Sequence, residues 1–60
     1  MASKFEVYED KSGQYRWRLK AANGEVVATG ESYTTKAAAL RGTESVQRAA
    51  AEATVVDQTA

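Results

Sequence analysis

Cysteine and histidine are both absent from this chain. Without thiols no disulfide can staple a small fold, and without thiols and imidazoles the usual zinc sites have no ligands. A cysteine nucleophile and an imidazole general base are excluded with them. The eight acidic residues are dispersed and show no calcium-loop spacing, so neither a metal nor another cofactor is expected.

An excess of one charge is missing too. Eight Lys and Arg against eight Asp and Glu leave a net charge of +0, so no global field draws the chain toward nucleic acid or a membrane. No apolar run approaches the roughly 18 residues that would span a bilayer. Met1-Ala2-Ser3-Lys4 leads into no apolar signal segment, and neither terminus carries a lipidation motif. The expectation is a soluble, cytoplasmic protein with no membrane attachment.

The chain has 60 residues, read as one domain over 1–60. A domain this small buries only about 60% of its unfolded surface. Its core rarely supplies more than about 3–5 kcal/mol. With disulfides and zinc excluded, self-association is the stabiliser left.

What is present is a clear pattern. Phe5-Glu6-Val7-Tyr8-Glu9 alternates apolar and polar as a half-buried strand does. Asp10-Lys11-Ser12-Gly13 is a turn signal suited to a three-residue hairpin loop. The predicted fold is α+β: a three-stranded antiparallel meander over about 4–9, 14–22 and 25–32, then a helix over about 35–51. Asn23-Gly24 suits a two-residue type I′ turn, and Thr34 or Thr35 can cap a helix that is rich in Ala and free of Pro. Thr54-Val55-Val56-Asp57 is expected to form a short C-terminal strand over about 54–57.

Turn lengths set registers. The first loop places Phe5 beside Leu19, Glu6 opposite Arg18 and Val7 beside Trp17. The second places Ala21 opposite Val26, Leu19 opposite Ala28 and Trp17 opposite Gly30. Both put Phe5, Val7, Tyr15, Trp17, Leu19, Ala21, Val26 and Ala28 on one face, an agreement that a one-residue slip would break. The helix offers that face a stripe of mostly small residues: Ala39, Gly42, Thr43, Val46, Ala49, Ala50 and Ala53, with Leu40 on its flank. Gly42 costs the helix roughly 1 kcal/mol relative to Ala, which reads as room made for the Trp17 ring.

One helix cannot cover both sides of a sheet. The other face presents Tyr8, Arg16, Arg18, Lys20, Val27 and Thr29, the candidate interaction residues, with Glu6 opposite Arg18 and Arg16 between Tyr8 and Glu31. This face can be a solvated, salt-bridged surface, or it can meet a protein or a second copy. Nucleic-acid binding is a further alternative. Tyr15-Arg16-Trp17-Arg18 interleaves aromatics with arginines, but they lie on opposite faces, leaving Tyr8 alone as an outward stacking platform.

Enzymatic readings are weaker. Ser32-Tyr33-Thr34-Thr35-Lys36, at the strand-to-helix junction, could hold an anion but lacks P-loop glycine spacing. A helix cap with Tyr33 packed beneath it is the plainer reading. No paired carboxylates share a face, and the chain lacks the volume for a deep pocket.

Phe5-Glu6-Val7-Tyr8, the long string Gly13-Gln14-Tyr15-Arg16-Trp17-Arg18-Leu19-Lys20-Ala21-Ala22-Asn23-Gly24-Glu25-Val26-Val27-Ala28, and Tyr33-Thr34-Thr35-Lys36-Ala37, followed by Gly42 and Ser45-Val46, resemble the YegP-like family of small uncharacterised domains. The resemblance covers about residues 4–57. It implies a meander plus helix with a further short strand. Members that occur as single modules and as tandem duplicates imply that two modules belong together, which makes a single-module chain a homodimer. Thr43 stands where the family usually has an aliphatic residue. No catalytic residue is implied.

Together these readings predict a non-catalytic binding module acting as a homodimer. Val55 and Val56 are its candidate dimer contacts, either within the subunit or exchanged across a two-fold axis. Its partners are itself and an unidentified protein, with nucleic acid bound by the basic outer face as the alternative.

Overall fold

The computed structural model describes residues 2–59. Strands β1 (Lys4–Glu9), β2 (Tyr15–Lys20) and β3 (Val26–Thr29) precede helix α1 (Lys36–Glu52). The strands form one antiparallel sheet in the order β1-β2-β3, and α1 lies over β1 and β2. Strands β2 and β3 are shorter than the predicted 14–22 and 25–32 because the ladder between them is irregular.

The first hairpin forms as its turn residues require. Asp10 and Gln14 close a three-residue loop, with the Asp10 amide donating to the Gln14 carbonyl at 2.8 Å and Gly13 at φ +82°. Phe5 pairs with Leu19, Glu6 with Arg18 and Val7 with Trp17, as expected.

The second hairpin differs from the expected two-residue turn. Its loop is Ala22-Asn23-Gly24, closed by the Ala21 amide donating to Glu25 O at 2.8 Å and the Gly24 amide to Ala21 O at 2.9 Å. A type I′ turn would need positive φ at Asn23 as well as Gly24. The longer loop asks it of Gly24 alone, at +91°. Asn23 instead accepts a hydrogen bond from the Glu25 amide through Oδ1 at 3.0 Å. Lys20 consequently pairs with Val26 rather than Ala21 doing so. A bulge then restores the pairs Leu19–Ala28 and Arg18–Thr29. Val26 is thereby moved off the core face to the side shared with Lys20, and it is half exposed.

A second slip follows just beyond β3. Gly30 donates to Trp17 O at 3.0 Å, but the ladder then resumes at Tyr15–Tyr33 rather than Tyr15–Ser32. The extra residue turns Tyr33 to the side of Tyr15. Its hydroxyl accepts from Trp17 Nε1 at 3.4 Å.

Trp17, Ala39 and Thr43 are the buried residues among those described. The Phe5 ring meets Trp17 edge-on, with centroids 5.5 Å apart. A Cβ on Gly30 would fall 2.1 Å from Trp17 Cε2, so only glycine admits the indole there. Gly42 makes room chiefly for Tyr33, whose hydroxyl would lie 2.4 Å from an added Cβ, against 3.2 Å for Trp17 Nε1. Gly42 thus makes a slot shared by two side chains, with Tyr33 in front, and not room for the Trp17 ring alone.

Thr35 caps α1 by accepting from Ala38 N at 3.1 Å. Thr43 is buried without an orphaned hydroxyl, because Oγ1 donates to Leu40 O at 2.7 Å. The predicted stripe holds only over the first half of the helix. Ala49, Ala50 and Ala53 are exposed because the helix runs on past the sheet. The predicted strand over 54–57 does not form: among the described residues, 53–59 pair with no strand.

Gly30→Ala is expected to lower stability by about 1–3 kcal/mol, the usual cost of overpacking a core. The measurement is a urea midpoint that falls at unchanged m-value. An unchanged midpoint would show that the indole can move at no cost.

Candidate interaction face

The outer side of β1 and β2 carries the strongest concentration of charge. Its organisation follows from strand parity, since Lys4, Glu6 and Tyr8 stand directly opposite Lys20, Arg18 and Arg16. Like charges facing across a ladder are unfavourable, and here Lys4 faces Lys20. Glu6 offsets this by sitting among three cations. Its carboxylate accepts from Arg18 Nε at 2.8 Å and lies 3.4 Å from Lys20 Nζ and 3.6 Å from Lys4 Nζ. The Arg18 hydrogen bond, followed by the pull of Lys20, holds the Glu6 carboxyl below its ordinary pKa. Arg18 is stacked besides on Tyr8, with its guanidinium carbon 4.7 Å from the ring centroid.

Arg16 has a different partner from the one its strand position suggests. It donates through Nε to Asp10 Oδ2 at 2.8 Å rather than reaching Glu31. The reason lies in the first hairpin loop. Asp10 Oδ1 accepts from Ser12 N, Ser12 Oγ and Gln14 N at 2.9, 2.8 and 3.0 Å, which anchors the carboxylate and aims Oδ2 at Arg16. The Arg16 bond, then those from Ser12 and Gln14, hold the Asp10 carboxyl far below the usual carboxylate range. The same contact raises the Arg16 pKa.

Tyr8, Arg16, Arg18 and Lys20 form one connected surface, and Thr29 extends it as the partner of Arg18 on β3. Val27 is exposed in the bulge. Lys4 and Asp10 also belong here, outside the predicted set, and Val26 joins them from the core face to which the expected register assigned it. An Asp followed by Ser-Gly signals an Asx-type turn acceptor, and three consecutive apolar residues, Val26-Val27-Ala28, signal broken alternation. Val55 and Val56 lie apart from this surface in the unpaired tail, 98% and 72% exposed.

The strand-to-helix junction is occupied by structural work: Tyr33 meets Trp17 and Thr35 caps the helix. A surface depression of about 450 Å³ is bounded by Lys4, Lys20 and the Ala21–Gly24 segment, and another of about 290 Å³ by Val7, Tyr8, Glu9, Tyr15 and Lys36. The lining residues are themselves exposed or half exposed, so both are open depressions and not deep pockets. Among the described residues no group of three or more acidic side chains is gathered to hold a metal ion, and no helix is long and apolar enough to cross a membrane.

Comparison with known proteins gives a consistent picture. Residues 10–57 match a family described as a domain of unknown function, DUF1508. A UPF0339 protein of Treponema denticola is 58% identical over 57 residues, covering 95% of this chain and 98% of its own. A solution structure of a Haloferax volcanii protein superposes with a TM-score of 0.81 at 44% identity, covering 93% of this chain and 95% of its own. A UPF0339 protein of Stutzerimonas stutzeri is 46% identical over 48 residues, and that match takes up 80% of this chain but only 43% of the longer relative.

Because the Asp10 and Glu6 carboxyls are held low in the folded state, their contribution to stability is present at neutral pH and lost as the pH falls below about 4. The urea midpoint of the chain is expected to drop through that window, and Asp10→Asn is expected to flatten the drop. Parallel pH profiles for the two chains would show that the Asp10 contacts do not favour the folded state.

Proposed function

The chain belongs to the DUF1508 family, the YegP-like proteins it resembles in sequence, and on that premise we propose that it is a non-catalytic binding module that works as a homodimer. The observation that carries the dimer is surface left uncovered. The single chain exposes 4809 Å², whereas a compact monomer of this mass exposes about 3,800 Å². Its radius of gyration is 13.2 Å, against about 10 Å for a compact chain of this length. The surplus is on the order of the 800 Å² that each partner contributes to a standard interface.

That surplus has a location. Helix α1 reaches β1 and β2 but not β3, and Val26, Val27, Leu40, Val55 and Val56 are all large apolar residues left exposed. A C-terminal segment exchanged across a two-fold axis would cover a strand edge of the partner and bury its own valines. The Stutzerimonas relative, of which the matched segment is less than half, has room for a second module in the same chain. That is the arrangement a dimer would reproduce with two chains.

Light scattering on the intact chain at micromolar concentration is expected to report twice the single-chain mass. The double substitution Val55→Asp with Val56→Asp is expected to halve that mass and lower the urea midpoint. An intact chain that is a stably folded monomer at this concentration overturns the dimer. A variant that dimerises undiminished removes the tail from it.

A further inference from the structure

We propose that the outer face of the sheet docks an extended acidic peptide segment whose carboxylates recur at every second residue. The proposal names a partner class for the binding module and rests on that reading, but it uses one protomer only and is independent of the dimer. A net charge of +0 conceals a segregated surface. Lys4, Arg16, Arg18 and Lys20 share this face with the two carboxylates that pair with them, Glu6 and Asp10. Two positive charges remain in excess locally.

The carboxylates lie inward of the arginines. The Asp10 side chain is 18% exposed against 41% for Arg16, and Glu6 28% against 38% for Arg18. Each arginine commits Nε to its carboxylate. Among the described residues the terminal nitrogens of both guanidiniums have no hydrogen-bond partner. A guanidinium held through Nε presents its remaining donors outward in a fixed fork, the geometry that receives a carboxylate. Both are braced as well, Arg18 by the Tyr8 ring and Arg16 by the loop-anchored Asp10, so little side-chain freedom is left to lose on binding.

Spacing selects the shape of the ligand. Arg16, Arg18 and Lys20 alternate along β2 and so recur at about 6.8 Å, twice the rise of a strand residue. An extended peptide has the same repeat. Carboxylates at alternate positions therefore meet the three cations in step. A second copy is a poor occupant, since a two-fold contact would set this face against itself, cation on cation. Single-stranded nucleic acid needs an open aromatic platform. Here the outward Tyr8 ring is covered by Arg18, and Trp17 is buried.

The test is fluorescence anisotropy with the full chain and three labelled probes of equal charge. These are a short peptide of alternating Glu and Thr, the same composition with the Glu residues in one block, and a single-stranded RNA. The alternating peptide is expected to bind most tightly, and Arg16→Gln with Arg18→Gln to weaken it by at least about tenfold. Circular dichroism checks the fold of each variant, and Lys20→Gln serves as a milder second one. Glu6→Gln separates preorganisation from bulk charge, because it adds positive charge yet releases Arg18. Weaker peptide binding is expected. Absence of binding at low salt, tighter binding of RNA or of the block peptide, or tighter binding by Glu6→Gln each overturns the proposal. The mass of the same sample reports the dimer separately, so the two readings fail independently.

Discussion

Placing one indole ring is the constraint on which the rest of this structure depends. Trp17 is the one tryptophan of the chain, and with a core this small its burial supplies a large share of the apolar area removed from water. Three separate segments yield space or contacts to it. Gly30 lets the ring lie directly on the third strand, Phe5 meets it edge-on, and Tyr33 accepts its N–H. Gly42 then lets the helix come down over the Tyr33 hydroxyl. Each of these depends on the others, because an indole buried with an unpaired N–H would forfeit much of what its burial contributes.

The two sides of β2 consequently have different physical tasks. Its odd-numbered side chains build the core, while its even-numbered cations form a surface held in order by two carboxylates. Those carboxylates do more than cancel charge. Glu6 relieves the opposition of Lys4 and Lys20, and Asp10 ties the first hairpin loop to Arg16. This surface is tied by side-chain contacts, whereas the tail and the far end of the helix are exposed.

Much of this was legible from the residues. Alternation in Phe5–Glu9 and Tyr15–Lys20 marked two of the strands, Ser12-Gly13 set the first loop, and the pair Thr34-Thr35 marked the start of the helix, with Thr35 its cap. The pairing of Glu6 with Arg18 followed from turn length, whereas that of Trp17 with Gly30 came out as expected because the bulge beside Leu19 and Lys20 offsets the longer second loop. The slips along and just beyond β3 were not legible, since Asn23-Gly24 serves a two-residue and a three-residue loop equally well on local grounds. Asp10 as the partner of Arg16 was hidden for a similar reason: a loop carboxylate lies outside any strand-parity argument.

The sequence by itself determined the order and type of the three strands and the helix, the first register and the division of β2 into a core side and a charged side, because these rest on period-two patterning and near-neighbour turn chemistry. Only the tertiary structure decided where the ladder breaks, which way Val26 and Tyr33 face, and where the helix stops being covered. Those outcomes are set by contacts between residues far apart in the chain. Tyr33 meets the Trp17 N–H where the ladder has slipped by one residue, and no window of neighbouring residues contains that contact.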